Sequence, residues 1–126
     1  MTTTPHRRGI ILFAHGSRDP LWRAPMDAVT ARVRALDPQA LVNCAFLELT
    51  APDLPTCVAE QVTQGAQTIG IVPMFLGVGR HAREDLPEIL AQLRREHPQV
   101  TFTLQTAIGE DDRVIDLLAR IALSGD

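Results

Sequence analysis

Two histidines stand in the same kind of place. His15, in "LFAHGSRDP", closes an apolar run and is followed at once by glycine; His81, in "VPMFLGVGRHAREDLP", comes after another apolar run and two glycines, Gly77 and Gly79. A carboxylate, Glu48 in "FLELTAPDL", follows a third such run. Imidazole and carboxylate together suit a divalent first-row metal, and two nitrogens with one carboxylate leave coordination positions open. Neutral imidazole also accepts protons. The chemistry within reach of these residues is to hold a metal ion without enclosing it and to take up protons, provided the fold brings them together.

The neighbouring residues are informative as well. All twelve basic side chains are arginine, and Arg18, Arg23, Arg80 and Arg83 lie close to the two histidines along the chain. Ser17 has no G-x-S-x-G elbow around it, so its hydroxyl reads as a helix cap or a contact to a substrate edge and not as a nucleophile. Asp19, ahead of Pro20, reads as a helix-entry carboxylate. Gly16, Gly77 and Gly79 read as permitting tight turns or positive φ. "GVGRHA" is no dinucleotide fingerprint, because Ala82 takes the place of the last glycine, and a chain without lysine has no phosphate-binding G-x-x-x-x-G-K loop. His6 falls in a ragged N-terminal stretch, and His97 reads as the end of a helix before Pro98.

What must position these residues is an alternation of strands and helices. The apolar run "GIILFA" precedes a polar turn, and "WRAPMDAVTARVRAL" then carries Met26, Val29, Val33 and Leu36 at helical spacing. The pattern recurs as "ALVNCAFL" with "PDLPTCVAEQVTQG", "QTIGIVPMFL" with "REDLPEILAQLRREH", and "VTFTLQTAI" with "DDRVIDLLARIAL". Pro52, Pro55 and Pro87 fall where helices are expected to start, and Gly65 where one is expected to end. Alternation of this kind predicts an α/β domain, doubly wound, with a four-stranded parallel sheet covered by helices on both faces. Ligands of such sheets bind beyond the carboxyl ends of the strands, where strand order reverses. With the common order 2-1-3-4, His15, Glu48 and His81 all reach that rim from different strands.

Composition sets the outer bounds. A chain of 126 residues fits one domain that buries roughly two-thirds of its unfolded surface; residues 9–123 are expected to form it, behind a disordered segment 1–8. A formal net charge of −3 argues against nucleic acid as a partner. "GIILFA" is about a third of a membrane span and lacks a signal-cleavage pattern, so a cytoplasmic protein without membrane association is expected. Cys44 and Cys57, with no C-x-x-C spacing, suit a reducing compartment as buried thiols.

At these residues the chain resembles the short, single-module sirohydrochlorin chelatases, which insert cobalt or iron into a tetrapyrrole on the way to cobalamin or sirohaem. The resemblance rests on "LFAHGSRDP", "FLELTAPDLP" and "VPMFLGVGRHAREDLP", in the family's order and spacing, and runs from about Gly9 to about Ile121. It implies a chelatase-like half-module that pairs as a homodimer to complete its site. It implies that His15 and His81 bind metal and accept protons, with Glu48 as the accompanying acid. It also implies a substrate with eight carboxylates, to which Arg18, Arg80, Arg83 and Ser17 at the rim would bind through charge-assisted hydrogen bonds. No permanently bound cofactor is expected, the divalent ion (Co²⁺, Fe²⁺ or Ni²⁺) being a substrate. Two other readings compete: a metal or tetrapyrrole carrier with the same ligands and no turnover, and a phosphate-handling domain using "HGSR" as an anion loop.

Overall fold

The computed structural model describes residues 7–125, His81 by its backbone alone. Strand β1 (Arg7–Ala14) leads through a 3-10 turn (Pro20–Arg23) into α1 (Ala24–Leu36), followed by β2 (Leu41–Phe46), α2 (Leu54–Thr63), β3 (Ala66–Pro73), α3 (Arg80–Glu96), β4 (Thr101–Leu104), a second 3-10 turn (Ile108–Glu110) and α4 (Asp112–Ser124). All three strand pairings are parallel and the order is β2-β1-β3-β4, as the alternation predicts. Arg7 and Arg8, expected in the leading segment, belong to β1; the remainder of that segment and His6 lie outside the described residues.

The strands divide their side chains between two apolar layers. Ile11, Phe13, Ile69, Ile71 and Phe102 pack with Cys57 and Val58 of α2 and with Leu86, Leu90 and Leu93 of α3. On the other face Leu12, Val42, Cys44, Phe46 and Val72 pack with Met26 of α1. Neither layer contains a residue of α4, and no residue of α4 is buried. The expectation of helices over both faces is thus met by α2 and α3 on one face and by α1 alone on the other.

Three local readings are corrected. The stripe expected to bury α1 holds for Met26 and in part for Val33, but Val29 is 37% and Leu36 87% exposed, because Thr30 takes the inward place between them, its hydroxyl bonded to the Met26 carbonyl. Pro87 does not start α3 but lies inside it. The helix begins at Arg80 instead of Arg83 and tolerates a carbonyl at Arg83 without its usual i+4 amide partner. Neither Gly77 nor Gly79 adopts positive φ, and a side chain at either would meet open space.

The second helix illustrates how a start signal works. The Asp53 carboxylate accepts from the Thr56 amide at 2.9 Å, and Pro55 stands where an amide is not needed. Those bonds from Thr56 hold the Asp53 carboxyl below its ordinary 3.8. A depressed folded value contributes stability that is complete above the unfolded value and is lost as the pH falls through the folded one. Asp53→Ala is therefore expected to cost about 1 kcal/mol at neutral pH, and urea denaturation in strong acid should show the difference from wild type shrinking. Cys44 and Cys57 are both buried and unpaired; burial, above all, pushes the Cys57 thiol up to about 11, so it stays protonated and inert toward alkylation in the folded protein.

Candidate active site

The β1–β2 ladder does not stop where the strands do. The Leu47 amide donates to the Ala14 carbonyl at 2.9 Å and the Glu48 amide to the His15 carbonyl at 3.0 Å, so two of the expected site residues are paired through their backbones. Gly16 follows at φ 101°, and a Cβ there would collide with the Glu48 carbonyl oxygen. Only glycine lets the two strand ends approach this closely. Beyond Glu48 the chain reverses at once. The Thr50 amide bonds back to the Glu48 carbonyl at 2.9 Å, across Leu49 at φ 68°. A leucine in the left-handed region is a strained residue, and it stands next to the candidate carboxylate.

His15 is exposed, yet its ring is not loose. It lies 4.4 Å, centroid to centroid, from the ring of Phe75, which is itself buried and meets Phe13 edge-on at 6.1 Å. The β1–β3 ladder delivers Phe75 to this place: the Met74 amide donates to the Phe13 carbonyl at 2.7 Å, and Phe75 is the next residue. In the structure Phe75 is buried, Met74 and Val78 are half-buried against the two layers, and Leu76 is 72% exposed. The stacking of Phe75 on His15 was missed; its only signal was an aromatic residue one place beyond a strand register that pairing alone determines.

The loop after His15 forms the wall of a recess of about 360 Å³ lined by Ser17, Arg18, Pro20, Trp22, Leu49 and Thr50, among others. Ser17 Oγ accepts from the Asp19 amide at 3.0 Å, and Asp19 accepts from the Leu21 amide at 2.9 Å, capping the 3-10 turn as its position suggested. Trp22 packs 6.0 Å from the buried Phe46 ring, and the Arg23 guanidinium lies 5.1 Å over that same ring. Arg18 is exposed at the recess mouth. The apolar residues Trp22 and Leu49, absent from the expected site, give this polar recess a partly apolar lining.

His81 is not on a loop. It is the second residue of α3, one turn of chain beyond the exposed Leu76. Gly79, extended at φ −65° and ψ 160°, is the N-cap, and its carbonyl takes the Arg83 amide at 3.0 Å. Arg80 pairs with Glu84 at 3.1 Å, both exposed; an exposed pair one helical turn apart is weak and gives way readily to a better partner. Arg83 is exposed in the same first turn. Among the described residues no three His, Cys, Asp or Glu side chains group closely enough to hold a metal ion, so what one copy displays is a rim with His15 and Glu48 adjacent and the start of α3 opposite.

The chain has relatives among known proteins that share its fold. Residues 9–123 match the CbiX protein family. A sirohydrochlorin cobaltochelatase of Methanococcus aeolicus is 26% identical, the match covering 86% of this chain and 93% of that one. The crystal structure of a CbiX protein from Marinobacter aquaeolei VT8 superposes with a TM-score of 0.77 at 34% identity, covering 94% of this chain and 95% of the other. The sirohydrochlorin chelatase SirB from Bacillus subtilis subspecies spizizenii, in complex with cobalt, gives the same TM-score at 27% identity over 94% of this chain but only 50% of its own. The chain, matched over nearly all its length by one family whose solved member shares its fold, belongs to the CbiX family.

Proposed function

We propose that this protein is a metal chelatase that inserts cobalt or iron into sirohydrochlorin, in cobalamin or sirohaem biosynthesis. The observation that carries the reading is the pairing of His15 and Glu48 at the carboxyl rim of the sheet, in a chain of a family whose relatives act on this macrocycle. Insertion replaces two pyrrole N–H protons by one divalent ion, so two protons must leave as the metal enters. His15 and His81 bind the incoming ion through neutral imidazole and accept those protons, with Glu48 as the accompanying carboxylate. An incomplete ligand set suits a substrate metal, because a closed cage of four protein ligands would not release it.

The macrocycle's carboxylates fall to Arg18, Arg80 and Arg83, with Arg80 exchanging Glu84 for substrate, and to the Ser17 hydroxyl, whose proton remains available while its oxygen accepts from Asp19. No cofactor is held permanently; Co²⁺, Fe²⁺ or Ni²⁺ enters as substrate, and the ligand types accept all three. One rim covers one face of a flat macrocycle, so two copies related by a two-fold axis form the cleft. The protein works in the cytoplasm, in keeping with two reduced, buried cysteines; among the described residues no helix is long and apolar enough to cross a membrane.

The test is a purified-protein assay with sirohydrochlorin and each of Co²⁺, Fe²⁺ and Ni²⁺, followed by visible absorbance. Many turnovers per protein above the metal-only rate are expected. Stoichiometric binding without acceleration would make the protein a carrier and remove the enzymatic reading.

A further inference from the structure

Where this chain needs a positive φ it uses glycine, with one exception. Gly16, Gly65 and Gly125 take φ values of 101°, 98° and 71°, and among the described residues Leu49, at 68°, is the only non-glycine to join them. The hydrogen bond from the Thr50 amide to the Glu48 carbonyl spans that one residue, so the reversal is the γ-turn of positive φ, the rare and strained form. The turn is held from its other side as well, because the Glu48 carbonyl oxygen lies against Gly16 and leaves no room there for a Cβ. Glycine at position 49 would make the same turn without the steric cost that a Cβ brings.

The leucine side chain must therefore contribute something that glycine does not. Interior packing is not that contribution: Leu49 is 53% exposed and belongs to neither apolar layer. What the side chain does reach is the recess of about 360 Å³ behind His15, which it lines together with the partly exposed Trp22. A leucine and an indole both left in contact with water in one concavity are poorly used until something covers them, and backbone strain retained at such a place points to a ligand. The rest of the lining says which kind. Arg18 is exposed at the mouth, and Ser17 and Thr50 stand beside it. Of the remaining charges, the Asp19 carboxylate is turned to the Leu21 amide, and Arg23 to Asp27 and the Phe46 ring. An apolar wall under a cationic, hydroxyl-bearing lip fits a flat apolar ring edged with carboxylates. A volume of about 360 Å³ is at the small end for organic ligands, so it takes one ring of a macrocycle with its arms and not the whole.

We infer that Leu49 is a substrate-binding residue, held in a strained turn so that its side chain and the Trp22 indole form the wall on which one ring of the macrocycle rests, while Arg18 and Ser17 take that ring's carboxylate arms. This rests on the tetrapyrrole substrate proposed above and places part of it. The strain has a use in this position: it sets the wall directly beside Glu48, whose amide is bonded to the His15 carbonyl, so the residue that supports the ring and the residues that meet the metal share one turn of chain.

The experiment is a titration of the full chain with metal-free sirohydrochlorin, read by quenching of Trp22, the only tryptophan, and paired with urea denaturation. Leu49→Asn should show a urea midpoint no lower than wild type, because asparagine tolerates the left-handed region better than leucine does. Its affinity for the macrocycle should nevertheless fall about ten-fold, the scale of losing half a leucine's burial. Leu49→Met, which restores an apolar side chain, should bind as wild type does. Wild-type affinity in Leu49→Asn, or the same loss in Leu49→Met, would overturn the inference; so would a midpoint for Leu49→Asn well below wild type, since the leucine would then serve the fold. The enzymatic reading is tested apart from this one. A wild type that binds the macrocycle through Leu49 and inserts no metal removes the chelatase alone, and one that inserts metal with no regard to residue 49 removes this inference alone. A wild type whose Trp22 is not quenched removes both.

Discussion

His15→Ala is expected to lose at least about 100-fold in metal insertion, the scale on which a positioned proton acceptor contributes to a rate. The argument has two parts. The ring is exposed and stacks on Phe75 at the end of β1, beside the Glu48 strand end, so it is presented to solvent at the sheet rim in a held orientation. Its contribution to stability is limited to that stacking, about 1 kcal/mol. Loss of rate should therefore come with a urea midpoint close to wild type, which separates a chemical role from a structural one. His81→Ala is expected to lose rate to a similar extent with the fold intact. Its reason is position alone, in the first turn of α3 at the same rim. Wild-type turnover in either variant would remove that histidine from the mechanism.

Gly16→Ala is expected to cost at least about 2 kcal/mol of unfolding free energy, because two penalties fall on one residue. A φ of 101° is unfavourable for any L side chain, and the added carbon would meet the Glu48 carbonyl, a backbone atom fixed by its own bonds to Thr50 and, through the Glu48 amide, to His15. The chain can relieve the collision only by separating the ends of β1 and β2, which moves His15 from Glu48. Insertion should fall together with the urea midpoint. Gly77→Ala supplies the control: with open space and no positive φ, it should leave stability unchanged or slightly raised. A Gly16→Ala protein with the wild-type midpoint would refute the close-approach argument.

The strand order and the meeting of His15 with Glu48 were legible in the sequence for one reason. Each residue directly follows an apolar run, and in a parallel sheet every run ends at the same edge. What was not legible depended on partners distant in the chain. Val29 and Leu36 have helical spacing to Met26, yet they stay exposed, because periodicity says which side of a helix is apolar and not whether anything lies against it. The same holds for α4, whose pattern matches that of a packed helix. Pro87 looked like a helix start because proline is favoured there, but the signal at Gly79 acted eight residues earlier. Leu49 in the left-handed region carries no mark in sequence at all, since positive φ is signalled by glycine or asparagine and not by leucine.

Phe75 has a consequence for how variants of this protein will sort in a screen. One side chain belongs at once to the buried layer, through Phe13, and to the rim, through His15, while its carbonyl anchors the turn before α4. Substitutions there will register as loss of yield and loss of activity together, and a survey that filters out poorly expressed variants will discard the position as merely structural. Neighbouring surface positions will give the opposite profile, well expressed and inactive. The boundary between the two phenotypes therefore runs through a single ring, and a genetic map of this rim will show a gap at residue 75 where its support is greatest.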